Sequence, residues 1–271
     1  MAVLRVDTAP LLPELRAGLV DLLRGLDPPD WSRPTACPGW TVAAVAAHLL
    51  GVELGNVSRR RDEHRIDPPP GGDLPSWLDG FNQSWVDSAR RLSPRVLVDL
   101  LDTAGAWFEA YVGGLDLDAT GPPVWWAGPA PAPVWLDVAR EYTERWVHQQ
   151  QIRDAAGRPG LDGPRHVGPV VATFVHALPR SLAAVPAAPG TTVDLVVTGE
   201  GGGTWHAARE PDVAGLGWDL RSGPSPAPAC RLTGPVADAW RLYAGYPGFG
   251  LAAEGDPALA AAALDGRAVI T

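Results

Sequence analysis

The apolar residues of this chain change their period once, and that change limits the fold more than any other feature. In "PLLPELRAGLVDLLRGL" Leu recurs at three- and four-residue steps, the spacing that gathers apolar side chains on one face of an α-helix. Past "GRPGLDGP" the segments "TTVDLVVTG", "TWHAARE", "GWDLRSG" and "ACRLTG" alternate apolar and polar residues, with Gly-rich turns such as "EGGG" between them. That two-residue period marks half-buried strands. Helices first and strands later imply a helical domain followed by an α+β domain. The expected division is a four-helix bundle over residues 1–160 and a small α+β domain with an antiparallel sheet over residues 161–271.

Punctuation within the first half supports the bundle. Thr41 is placed to cap "VAAVAAHLLGVELGNVSRRRDEHR", which runs to the Pro-Gly tract "IDPPPGGD". "PSWLDGFNQSWVDSARRL" reads as the next helix. Ser93 followed by Pro94 is a cap and first-turn signature for "PRVLVDLLDTAGAWFEAYVGGL". The loop "GPPVWWAGPAPAP" then leads into "REYTERWVHQQQIRDAAGRPG", which Gly157 is suited to end. Long helices with short connections, one short helix leading, fit an antiparallel bundle. In the second half "PVVATFVHALPRSLA" precedes the strands, and "PVADAWRLYAGY" and "DPALAAAALDG" are helical.

Composition removes several function classes. With 46% hydrophobic and 20% charged residues the 271-residue chain is able to bury a sizeable core. A net charge of −9 argues against a nucleic-acid partner, which calls for a basic face. No stretch reaches the roughly 18 uncharged apolar residues of a membrane span, and the first residues lack the pattern of a signal peptide. Cys37 and Cys230 lie far apart and form neither a metal-ligand spacing nor a disulfide framework. A cytoplasmic protein with reduced thiols is expected, as a monomer or homodimer.

Two places in the helical half carry chemistry. His48 sits among small and apolar residues in "AAVAAHLLG", and Val45, Leu49 and Val52 mark that face as inward. A buried neutral imidazole and a metal ligand are both open readings. Glu144 and His148 stand one helical turn apart, about 5–6 Å at Cβ, on a helix whose many charges give it a surface look. They could be a solvated pair or two ligands of one metal. His64, His166, His176 and His206 show no partner spacing. "CPGW", with Cys37, reads as a turn before a helix, with packing as the thiol's role.

The order of these motifs resembles a known family. "DWSRPTACPGWTVAAVAAHLLG" is similar to the opening signature of the DinB-like, mycothiol-dependent maleylpyruvate isomerases. "EYTERWVHQQQIRDAAGRPG" resembles their final bundle helix, and "CRLTGPVADAWRLYAGY … GDPALAAAALDGRAVI" resembles the small sterol-carrier-like domain often fused behind it. The resemblance implies that His48, Glu144 and His148 are the ligands of a divalent metal, with Zn expected and Fe or Ni suited to the same donors. A set of two His and one Glu leaves coordination positions open, the catalytic arrangement. It further implies mycothiol, a small actinobacterial thiol, as cosubstrate, held as thiolate and added to a small electrophilic substrate for isomerisation or thiol transfer.

Two other functions remain open at this level: a metal-dependent hydrolase or lyase that uses no thiol, and a non-catalytic binder of metal or a small ligand. Trp125, Trp126 and Trp135, in the Pro- and Trp-rich insertion, are candidates to line the mouth of the metal pocket. Arg221, Arg231 and Arg241 are candidates to hold an anionic substrate.

Overall fold

A computed structural model describes residues 4–69, 71, 73–210 and 215–268. Pro70 and Gly72 of the Pro-Gly tract, and the ends of both expected domains, lie outside the described residues. The chain is a multi-domain α and α+β protein that divides into two compact units. One comprises residues 9–115 and 144–160, the other residues 1–8, 116–143 and 161–271. A single cut near residue 160 therefore misses one exchange: the segment 116–143, with the Trp-rich insertion, belongs with the sheet.

In the helical unit, α1 (Leu12–Arg24), α2 (Val42–Asn56), α3 (Leu74–Ala89) and α4 (Pro94–Gly113) join the second half of α5 (Val134–Ala156). Thr41 and Ser93 cap α2 and α4 as expected, accepting hydrogen bonds from the backbone N–H of Ala44 and Val96. Leu19, Leu23, Val45, Leu49, Leu50, Leu97, Leu101 and Ile152 form the core. α2 packs against α3 and α4 and buries residues on every face, as a helix apolar all round must. It stops earlier than its run of charges suggested, in a π-turn over Val57–Arg61.

α5 departs most from expectation. Its sequence looks solvated, yet Trp146, Val147, His148, Gln149, Gln150, Gln151 and Ile152 are all buried. Helix amphipathicity assumes one wet face, and this segment has none. Gly157 ends it in a left-handed conformation at φ 64°, with Arg158 N–H donating to the Arg153 carbonyl, a Schellman closure.

The other unit holds α6 (Pro164–Phe174), α7 (Leu178–Leu182), α8 (Val236–Tyr243) and α9 (Pro257–Leu264) with a five-stranded sheet. A short antiparallel ladder, β1 (Thr120–Gly121) with β2 (Ala132–Pro133), brackets the Trp-rich insertion. The sheet strands are β3 (Thr192–Thr198), β4 (Gly203–Arg209), β5 (Trp218–Ser222), β6 (Cys230–Pro235) and β7 (Ala252–Gly255), in the order β5-β4-β3-β6-β7. Three of the four pairings are antiparallel, as expected, but β3 and β6 pair in parallel, which corrects that expectation at one position. The loop 223–229 returns the chain past β3 before β6 starts. Buried Asp194 holds that loop by accepting from Ser225 N–H and Oγ–H. Alternation specifies a strand's faces but not its direction, so the sequence could not show this. The helix expected over "PVVATFVHALPRSLA" breaks into α6, a 3-10 turn and α7, because Pro179 has no N–H to continue the ladder. Among the described residues no helix is long and apolar enough to cross a membrane.

His176 ties the N-terminal segment to this unit. Its Nε2–H donates to the Leu4 carbonyl at 3.1 Å, and its ring meets Trp135 edge-on at 5.6 Å. Burial pushes its pKa down to about 4, against the weaker effect of the Leu4 bond. The unfolded chain takes up this proton near 6.5 and the folded chain only near 4, so stability is full above 6.5 and falls as the pH drops through that window. Unfolding free energies from urea titrations of wild type and His176→Gln should converge from pH 7 to pH 4, by up to about 3 kcal/mol. Parallel pH profiles for the two proteins would refute this role.

Candidate metal centre

A tight turn prepares the site. Trp40 N–H donates to the Cys37 carbonyl, and Gly39 adopts φ 78°. Pro38 and Gly39 thus occupy the two central positions of a type II turn, for which proline's fixed φ and glycine's left-handed freedom are suited. Thr35 secures it by donating its N–H and Oγ–H to the Trp40 carbonyl. The Trp40 ring lies 4.9 Å from the His48 ring, and its indole N–H donates to Gln83 Oε1 at 2.9 Å. At the turn's other end the Cys37 thiol donates to Gln151 Oε1 at 2.9 Å and lies 3.9 Å from His148 Nδ1. Each end of the turn therefore stands against one histidine.

The three residues singled out by sequence converge. His48 Nε2 is 3.2 Å from Glu144 Oε1, and His148 Nε2 is 3.1 Å from the same oxygen. Among the described residues these three form a group whose ligand atoms all lie within 4.8 Å of one another. Two ligands about 2.0–2.1 Å from a tetrahedral ion are separated by roughly 3.4 Å, so these two distances fit a shared cation. Both imidazoles are buried while the Glu144 side chain is 21% exposed, which puts the solvent side at the carboxylate. His148 Nδ1 is 2.7 Å from Gln151 Oε1; with its Nδ1–H donated there, Nε2 is the ring nitrogen left facing Glu144 Oε1.

Burial opposes ionisation of Glu144, but the two imidazoles outweigh it and hold the carboxyl well below its usual range. Burial also opposes charge on His148, yet chiefly Glu144 raises its pKa to about 10. For His48 burial prevails, and the pKa is lowered despite its bond to Glu144. The cluster favours positive charge beside Glu144, a condition that a divalent cation satisfies.

The remaining candidates lie in the sheet-containing unit. Trp126 and Trp135 are buried there, and Trp125 is exposed. Trp126 borders a cavity of about 350 Å³ with Arg180, Ser181, Ala262 and Arg267, and Trp135 packs on His176. Arg221 pairs with Asp219 and Glu210, Arg231 with Asp194, and Arg241 stacks over Trp240 at 4.4 Å. Sequence reasoning missed Trp40, the Cys37–Gln151 contact and a buried bidentate pair. In that pair Arg145 Nε and Nη2 donate to the two Glu53 oxygens at 2.7 and 2.8 Å. Gln151 alone had a signal, three residues from His148 on the same helix face.

A helical bundle bearing an inward His2Glu cluster, joined to an α+β unit, defines a class of candidate metal-binding bundle proteins. The family model of the mycothiol maleylpyruvate isomerase N-terminal domain matches residues 12–153, just over half of the chain, and the chain belongs to that family. Uncharacterized proteins of Mycobacterium tuberculosis strains CDC 1551 / Oshkosh and ATCC 25618 / H37Rv are each 29% identical over 245 residues, covering 86% of this chain and 83% of theirs. The crystal structure of the mycothiol-dependent maleylpyruvate isomerase matches with a TM-score of 0.55 at 13% identity, covering 94% of this chain and 96% of that one. A mutant of that enzyme matches with a TM-score of 0.53. At this identity the likeness is one of fold.

The Glu53–Arg145 pair joins α2 to α5 beside the cluster, and the guanidinium also lies 4.3 Å from the Phe108 ring centre. Removing one partner of a buried pair strands the other's charge. Glu53→Ala should cost about 3 kcal/mol in chemical denaturation. A loss under about 1 kcal/mol, the range of a surface pair, would show that the bridge braces nothing.

Proposed function

We propose that this chain is a metal-dependent enzyme that uses mycothiol to isomerise, or to transfer the thiol to, a small electrophilic substrate of the maleylpyruvate kind. The convergence of His48, Glu144 and His148 on one point, in a member of this family, carries the reading. His48 and His148 would hold the ion through Nε2 and Glu144 through Oε1, with Zn²⁺ the expected metal. When bound, such an ion supplies a Lewis-acid centre that favours the anionic form of a thiol or water at neutral pH.

The chain's own residues set the stage. Glu144 contributes one negative charge, so the centre keeps net positive charge toward an anionic ligand. The buried rings exclude water from two sides, and the part-exposed carboxylate marks the side of approach. Neither cysteine is placed to attack a substrate there. The Cys37 thiol lies on the Nδ1 side of His148, away from the cluster's centre, and Cys230 is buried in β6 of the other unit. A nucleophile brought in by a cosubstrate fits this arrangement.

Metal analysis of the purified protein, then turnover of maleylpyruvate with and without mycothiol, tests the reading. His48→Ala or His148→Ala should weaken metal binding by more than the 10–100-fold typical of an outer-sphere change, while far-UV circular dichroism keeps its helical signal. A metal-replete protein that turns over neither maleylpyruvate nor a chlorobimane-type electrophile in a thiol-dependent way would overturn the proposal. Thiol-independent turnover would reassign the site to water-based hydrolysis or elimination.

A further inference from the structure

Behind the cluster, one amide oxygen has two neighbours that decide how it points. Gln151 Oε1 is 2.7 Å from His148 Nδ1 and 2.9 Å from Cys37 Sγ. Gln151 is 1% exposed, His148 2% and Cys37 5%, so water does not compete freely for these atoms. The amide has two orientations with opposite consequences. With Oε1 facing His148, the Nδ1 proton is donated to it, and Nε2 is the nitrogen whose lone pair an ion seated between it and Glu144 Oε1 would take. With the amide nitrogen facing His148, Nδ1 must accept, and the ring proton moves to Nε2, where it blocks coordination. The S–H group is a weak donor that biases Gln151 toward the first orientation.

We propose that Gln151, oriented by the Cys37 thiol, is a positioning residue that locks His148 in the metal-binding tautomer. The inference rests on the metal reading above. It also accounts for the location of Cys37 at the first position of the type II turn: that turn places the thiol on the amide while Trp40, at the fourth position, meets His48. Cys37 thereby acts through the Gln151 amide and not as a nucleophile.

The test uses the full-length protein and Zn²⁺ alone. Competition with a chromophoric chelator gives the affinity, and long-range ¹H–¹⁵N spectra of the imidazoles give the tautomer of His148. In the zinc-loaded wild type, His148 should carry its proton on Nδ1. Gln151→Leu removes the acceptor and should lower zinc affinity 10–100-fold, the usual cost of an outer-sphere partner. Gln151→Glu restores an acceptor and should recover most of the affinity. Cys37→Ala removes only the orienting thiol and should produce a smaller loss, whereas Cys37→Ser, which keeps an O–H donor, should not. Wild-type affinity in both Gln151→Leu and Cys37→Ala would defeat this inference and leave the metal reading standing. So would an Nε2-protonated His148 in the loaded wild type, a measurement that decides even if Gln151→Leu fails to fold. A wild-type protein that takes up no zinc would instead defeat the parent reading, and this inference with it.

Discussion

One carboxylate oxygen, Glu144 Oε1, set against two imidazole nitrogens inside a helical bundle, imposes conditions that the rest of the helical unit meets. Polar and charged groups taken out of water destabilise a fold by several kcal/mol unless each has a partner. Here the partners sit on facing helices. His48 comes from α2 and Glu144 from α5, while Glu53 and Arg145 repeat the α2–α5 link with a bidentate pair. A slip of either helix by one residue would break both links together. The polar contacts thus specify a register that the apolar contacts, being non-directional, leave loose.

The turn from Cys37 to Trp40 does comparable work from outside the helices. A single geometry, fixed by proline at one central position and by glycine at φ 78° at the next, delivers an indole to His48 and a thiol to Gln151. Ring orientation at both histidines is therefore set by packing and by backbone conformation, without reliance on a ligand. Preorganisation of this kind would lower the ordering cost of taking up an ion. It also explains why a small Cys suits position 37, since a bulkier side chain would push the turn away from α5.

Much of this was legible in the sequence because it is local. The helix caps at Thr41 and Ser93, the left-handed end at Gly157, the turn at Cys37–Trp40 and the one-turn spacing of Glu144 and His148 all depend on residues within a few positions of one another. Resemblance to a family added His48, which spacing alone left open. What escaped is non-local. The parallel pairing of β3 with β6 follows from where the loop 223–229 lands, and the membership of residues 116–143 follows from tertiary contacts. The burial of α5 escaped for a different reason: its Gln, Glu, Arg and His side chains suggest solvent, whereas Arg145, His148 and Gln151 find partners in Glu53, Glu144 and Cys37.

The composition of the chain also limits how such a centre can act. There is no Lys among its 22 basic residues, so no lysine amine is available to form a Schiff base. Cys37 is engaged behind His148, Arg221 and Arg231 pair with Asp219, Glu210 and Asp194, and Arg241 lies over the Trp240 ring. The groups that meet at the cluster are therefore donors of lone pairs and of shape, suited to hold and orient an activated ligand more than to form a bond themselves. That division of labour is the one expected if the reactive atom arrives on a cosubstrate. It ties the proposed thiol dependence to the identity and placement of this chain's own side chains as well as to the family it belongs to.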